Sequence, residues 1–212
     1  MPPATRAAWA LIRDFIPATA YLMGGTALAL RIRHRVSQDL DFFLEGPTDL
    51  QQLLQSLETC GEVAVTDMDD RTLNCVFRET KLQFLDATSM VNIVPPDTLQ
   101  GVRIGSLDDL LVSKLLVLTH RGAVRDYVDL WAIEQATARR VESGLAMLDL
   151  RYPGAAERRT WLEVIRALGY VDDVRNQPLP QLLSPFGLTF AQLRRYWQKR
   201  EREIVANLGQ LN

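Results

Sequence analysis

Between Gly24 and Phe43 the chain reads GGTALALRIRHRVSQDLDFF, and no other stretch constrains the fold as strongly. A double glycine followed by a threonine and an apolar run marks a tight turn entering a helix. The Asp-Leu-Asp that follows lies within an apolar run of strand character. Strand side chains alternate faces, so Asp39 and Asp41 project from one side, about 6 to 7 Å apart along the strand. Their neighbours are Leu40, Phe42, Phe43 and Leu44, and two ionised groups in such company are costly to bury without a cation or hydrogen-bond donors. At this spacing the two carboxylates share one hard divalent cation or a pair of them. The Gly24-Gly25-Thr26 turn presents backbone N–H groups at a helix start, which suits the phosphates that such a metal accompanies.

The chain has 212 residues, 47% of them hydrophobic and 24% charged, which is enough for one sizeable core or two small lobes. A net charge of -2 argues against a broad basic face that coats duplex DNA. Local basic groups remain: Arg31, Arg33, His34 and Arg35 just before the aspartates, and Arg194, Arg195, Lys199, Arg200 and Arg202 near the end. The second cluster alternates with Glu201 and Glu203 and reads as a solvated helix face. Cys60 and Cys75 lack metal-site spacing and read as reduced thiols, and the two histidines, His34 and His120, are too few for a metal constellation. No run approaches the ~18 apolar residues of a membrane span, and the first residues lack the order of a secretory signal, so a cytoplasmic protein without membrane attachment is expected.

Periodicity predicts an α/β front half and a helical back half. Arg6 to Ile16 and Thr26 to Arg33 read as helices, as does the run from Pro47 to Leu57. Ala20 to Met23, Asp39 to Leu44, Glu62 to Thr66, Thr72 to Arg78 and Lys81 to Asp86 read as strands, the last two forming a hairpin. Pro95 and Pro96 make Ser89 to Gly101 the expected linker, dividing the chain into lobes 1–100 and 101–212. Beyond it, Ser106 with Asp108 and Asp109 opens a helix with acids in its first turn. Lys114 sits on its leucine-rich face with Leu110, Leu111, Leu115 and Leu118. Asp126 and Asp129, three apart, are neighbours on the next helix; capping, or pairing with Arg121 and Arg125, would explain them blandly. Trp131, Trp161 and Trp197 mark successive helices of a packed core.

A Gly-Gly-Ser/Thr turn followed by Asp-x-Asp on the next strand resembles the nucleotidyltransferase superfamily. GGTALAL with HRVSQDLDFF is similar to its toxin branch, the AbiE-type toxins of abortive-infection and toxin–antitoxin systems. SLDDLLVSKLLVLTHRGAVRDYVDLWAI is similar to that family's later Lys-Leu and Arg-Asp-x-x-Asp helical motifs, and LGYVDDVRNQPLPQLL to its C-terminal region. The resemblance implies a nucleotidyltransferase-like α/β lobe, a mixed sheet with helices, followed by an α-helical lobe. It implies Asp39 and Asp41 as ligands of Mg²⁺, and Gly24, Gly25, Thr26, Arg35, Ser37, Lys114 and Asp129 around an NTP. Asp126 would activate an acceptor hydroxyl or orient Lys114. The implied activity is transfer of NMP from NTP to RNA, the 3′ end of tRNA among the candidates, by a toxin with a winged-helix antitoxin as partner.

One position departs from the superfamily. A third carboxylate there comes from a later strand beside the Asp-x-Asp strand, and KLQFLDA places Gln83 where it would fall, with Asp86 on the opposite face. Glutamine ligates weakly through its carbonyl and is no useful base. Two alternatives therefore stand beside the RNA-modifying enzyme: a catalytically weak nucleotide-binding module that regulates a partner, and a transferase acting on a protein hydroxyl.

Overall fold

The computed structural model describes residues 1–120, 122–154 and 158–209. The chain divides into two compact units, one of Met1–Arg31 with Val36–Ser106 and one of Ile32–Arg35 with Leu107–Asn212. The first is the expected mixed sheet with helices and the second is the expected helical part. The division follows Ser106 rather than residue 100, and it groups Ile32–Arg35 with the helices.

In the first unit, α1 (Pro3–Ile12) and a short 3₁₀ turn precede β1 (Ala20–Met23). Then follow α2 (Gly24–Ile32), β2 (Leu40–Leu44), α3 (Leu50–Glu58), β3 (Val63–Met68), β4 (Thr72–Phe77), β5 (Thr80–Asp86), β6 (Asp97–Leu99) and β7 (Val102–Ile104). The strands form one seven-stranded sheet in the order β3-β4-β5-β2-β1-β7-β6. β2 runs antiparallel to β1 and parallel to β5. Alternation works as the sequence requires: Leu40, Phe42 and Leu44 are buried, while Asp41 and Phe43 are half-buried on the other face. Leu73, Phe77, Leu82 and Phe84 extend the buried face. Trp9 of α1 stacks on Phe42 at 5.9 Å, and Phe42 on Phe84 at 5.3 Å. Each such side chain removed from water contributes about 1.5–3 kcal/mol. Cys75 lies in this core, where burial pushes its thiol up to about 11, so it stays a protonated, unreactive thiol at neutral pH.

The segment expected to be a linker, Ser89 to Gly101, ends in β6 and the turn of a β-hairpin that β7 completes. β6 and β7 are joined by Gln100 (φ 53°) and Gly101 (φ 75°), and positive φ at both central residues is the two-residue turn that suits strand twist. Arg31 at the end of α2 fastens this hairpin: its Nε donates to the Gly105 carbonyl at 2.7 Å and its guanidinium pairs with Asp97. Thr80 pairs with Phe77, so the β4–β5 turn is Arg78-Glu79.

The second unit comprises α4 (Leu107–His120), α5 (Val124–Ala136), α6 (Val141–Ala146), α7 (Leu148–Arg151), α8 (Arg158–Gly169) and α9 (Phe190–Gly209). The acids that open α4 do more than complement its dipole. Asp109 pairs with Arg151 at 2.6 Å with both side chains fully buried, and Asp108 receives Arg139 at 2.6 and 2.9 Å. Trp197 is buried and donates to the Tyr127 carbonyl at 3.1 Å, which fits the expected packed core, while Trp131 and Trp161 are half-buried. The basic cluster on α9 is largely compensated. Arg194 pairs with Asp172, Lys199 with Glu203, and Arg200 with Glu134, Glu142 and Glu203. Among the described residues, no helix is long and apolar enough to cross a membrane.

Candidate active site

Gly24 occupies the junction of β1 and α2 with φ 68°. Met23 pairs with Asp41 across the β1–β2 ladder, so the chain leaving β1 turns directly beside that carboxylate. A Cβ at Gly24 would lie 2.1 Å from Asp41 Oδ2, far inside contact distance. Glycine is needed twice over, for the left-handed backbone and for the space. Asp41 thus packs against the first residue of α2, at the positive end of the helix dipole, which favours anions.

Thr26 has a structural task in the fold. Its side chain is buried, and its hydroxyl donates to the Asp39 backbone carbonyl at 2.5 Å. It staples α2 to the chain entering β2 and so sets the position of Asp39. Asp39 itself precedes the strand, which begins at Leu40. Asp39, Asp41, Gly24, Gly25 and Ser37 are all half-buried, so the structure brings the glycine turn and the two aspartates together at one end of β1 and β2.

The donor set fits a hard cation. Asp41 within β2 and Asp39 just before it offer carboxylate oxygens two residues apart. No group of three His, Cys, Asp or Glu suited to a metal occurs among the described residues. A Mg²⁺ held here would complete its octahedron with water and phosphate oxygens, which is the usual habit of that ion.

Gln83 stands where the sequence places it. β2 and β5 pair with Asp41 opposite Gln83, and Gln83 is half-buried on the same face, while Asp86 pairs with Arg71 at 3.1 Å. The row continues across the sheet, Gln83 opposite Asn74 and Asn74 opposite Asp67. Sequence reading did not find Asn74 or Asp67, because a strand register must be known before they align.

The remaining predicted residues form a cluster within the helical unit. Lys114 Nζ lies 2.8 Å from Asp126 Oδ1 and 2.7 Å from Asp129 Oδ2. Arg35 grips Asp129 through Nε at 2.6 Å and Nη2 at 3.0 Å. His34 Nε2 lies 2.7 Å from Asp129 Oδ1. All five side chains are buried. Burial opposes the charge on Lys114, but Asp129 and Asp126 outweigh it and raise the ammonium above its usual pKa. Burial likewise works against an ionised Asp129, yet Lys114 and Arg35 hold its carboxyl well below the usual range. Asp126 Oδ2 accepts the Ala123 backbone N–H at 3.2 Å, so both of its oxygens are engaged. Arg121 lies outside the described residues. His34 joined this cluster without warning, since its only sequence signal is a place beside Arg35.

Residues 8–88 match the family model of the AbiEii nucleotidyl transferase toxin, a Type IV toxin–antitoxin system. The matched segment runs from α1 through β5 and contains the glycine turn, both aspartates and Gln83. A protein from H. pylori described as a nucleotidyltransferase superposes over 100% of this chain and 99% of its own, with TM-score 0.59 at 15% identity. MenT4, a nucleotidyltransferase toxin from Mycobacterium tuberculosis H37Rv, aligns over 96% of this chain and 89% of its own, with TM-score 0.51 at 15% identity. An uncharacterized Aquifex aeolicus protein is 22% identical over 190 residues, 88% of each chain. The AbiEii match covers the sheet unit as far as β5, and the structural likeness extends the fold through β6, β7 and the helices.

Proposed function

We propose that this chain is a Mg²⁺-dependent nucleotidyltransferase that transfers NMP from an NTP to a hydroxyl on RNA, the 3′ end of tRNA being the acceptor to test first, and that it acts as the toxin of a toxin–antitoxin pair. The observation that carries this reading is the close approach of Asp41 to the first residue of α2, beside Asp39. It puts a cation-binding carboxylate pair next to an anion-binding helix start. Mg²⁺ bound by Asp39 and Asp41 would supply charge for the triphosphate and for the developing pyrophosphate. Gly24 and Gly25 offer backbone N–H groups to phosphate oxygens. Thr26 keeps Asp39 in place.

The acceptor oxygen bonds to the α-phosphorus, the bond from that phosphorus to the bridging oxygen breaks, pyrophosphate leaves, and the hydroxyl proton passes to water. Such chemistry depends on positioning and charge stabilisation more than on covalent participation. Lys114 is assigned to the phosphates by the family motif, with Arg35, Ser37 and Asp129 in support. Asp126, with one oxygen on Lys114 and the other on a backbone N–H, is better suited to orienting that lysine than to taking a proton. The helix-rich likeness to a toxin supports a cognate antitoxin, for which the winged-helix type is the proposal, in the cytoplasm.

Incubation with each labelled NTP and total RNA, followed by separation of RNA from protein, tests the acceptor. Label in RNA is expected; label in protein would favour the protein-hydroxyl reading, and binding without transfer the regulatory one. Thermal stability should rise with Mg²⁺ plus NTP by more than with either alone, by about 2.7 kcal/mol at a hundredfold excess over Kd. No shift with any NTP would contradict nucleotide binding.

A further inference from the structure

We propose that His34 is a positioning residue for nucleotidyl transfer: its imidazole N–H locks the Asp129 carboxylate and, through it, sets the Lys114 ammonium that serves the phosphates. The inference rests on the nucleotidyltransferase reading above, in which Lys114 is assigned to the triphosphate. Its starting point is one atom. His34 is fully buried, and among the described residues its Nδ1 is the buried side-chain nitrogen or oxygen without a hydrogen-bond partner. An unpaired buried acceptor destabilises a fold, so its presence calls for a reason other than stability.

The other ring nitrogen supplies that reason. Nε2 lies 2.7 Å from Asp129 Oδ1. A carboxylate only accepts, so the hydrogen sits on Nε2, and in the uncharged ring Nδ1 is left a bare lone pair. Asp129 Oδ1 receives His34 Nε2 and Arg35 Nε, and Oδ2 receives Arg35 Nη2 and Lys114 Nζ. These donors fill the roughly four lone-pair sites of a carboxylate, so the group can neither swing nor exchange its oxygens. Lys114 is held by the result. Two of its N–H groups go to Asp126 Oδ1 and Asp129 Oδ2, and among the described residues the third has no partner. Asp126 is fixed in turn by the Ala123 N–H. The lysine side chain keeps 10% of its surface exposed, so the third N–H can meet a ligand.

A histidine suits this task. Within the cluster Lys114 and Arg35 already face Asp126 and Asp129, and an imidazole can donate to Asp129 without adding a third cation that competes with Lys114. The ring is also held from its backbone side. The Leu183 N–H donates to the His34 carbonyl at 2.9 Å, Arg35 bridges to Leu182, and the Phe186 ring meets the imidazole edge-on with centroids 6.4 Å apart. The Asp109–Arg151 pair of the same unit is equally buried, yet it leaves no side-chain nitrogen or oxygen unpaired. Burying an ion pair does not by itself demand such a ring.

The test measures steady-state transfer of α-label from each NTP in the presence of total RNA, counting label in RNA and in protein, by wild type, His34→Gln and His34→Asn. The glutamine amide nitrogen overlies imidazole Nε2 and can donate to Asp129; the shorter asparagine amide ends at the place of Nδ1 and cannot. His34→Asn should lose about 10²-fold in kcat/KM for the NTP, the scale of a misplaced group, and His34→Gln should keep at least about tenfold more activity than His34→Asn. A merely structural role would not separate the two amides in this way, provided circular dichroism shows both folded. A smaller difference between them overturns the proposal and leaves the transferase reading standing. If one variant alone folds, it decides: His34→Gln must stay within about tenfold of wild type, or His34→Asn must fall further below it than that. Failure of both to fold assigns His34 to the fold alone and overturns the proposal. If wild type transfers α-label from no NTP, the transferase reading falls and this inference with it.

Discussion

At Gly24 the absence of a single carbon makes room for the Asp41 carboxylate. The φ of 68° and the 2.1 Å approach of a hypothetical Cβ to Asp41 Oδ2 leave no side chain that fits. Gly24→Ala should leave the sheet intact, since the change falls at a turn, yet displace Asp41. Misplacement of about 1 Å costs on the order of 10²-fold in rate, so steady-state transfer should fall at least that far while circular dichroism is unchanged. Undiminished transfer would mean that the approach of Asp41 to the helix start is irrelevant to activity. The sequence carried much of this site. Alternation put Asp41 on the face away from Leu40 and Phe42, and the register expected for Gln83 is the one observed. The bond from Thr26 to the Asp39 carbonyl had no sequence signal, because a hydroxyl after two glycines looks the same whether it meets a phosphate or a carbonyl.

The cluster around Asp129 links α4, α5 and the short segment Ile32–Arg35. Its carboxylate is fully buried and receives Arg35, Lys114 and His34. Removing one partner of such a buried set typically costs 3–5 kcal/mol because the other charges remain unpaired. Asp129→Ala should therefore lower unfolding free energy by about that amount in urea titration; a loss under about 1 kcal/mol would show that the charges rearrange freely. The pH dependence follows from the depressed pKa of Asp129. A group held below its unfolded value, near 3.9, stabilises the fold above that value and loses the contribution as pH falls through the folded one. Wild type should therefore be steadier than Asp129→Ala at pH 5 to 7, with the difference shrinking only below about pH 4. The family resemblance grouped Arg35, Lys114 and Asp129 and set Asp126 beside Lys114, but periodicity gave no sign of the Arg35–Asp129 pairing, whose partners lie 94 residues apart. β6 and β7 escaped for another reason: strands of three residues, just after Pro95 and Pro96, are too short to show a period.

For the whole molecule, the expected order of an α/β part followed by a helical part holds, and the family match falls on the first. The sheet unit contains the carboxylate pair and the glycine turn; the helical unit contains the lysine assigned to the phosphates. The division itself was harder to read, since Ile32–Arg35 belongs with helices that begin at Leu107, and no composition shift marks such an excursion. The central claim is that the protein transfers a nucleotide through Asp41, and parallel reactions with α-labelled and γ-labelled NTP test it most directly. The α-label should enter the macromolecular product, the γ-label should leave as pyrophosphate, and both signals should be lost in a folded Asp41→Asn variant. Transfer of γ-label to the product, or undiminished α-label transfer by Asp41→Asn, would contradict it.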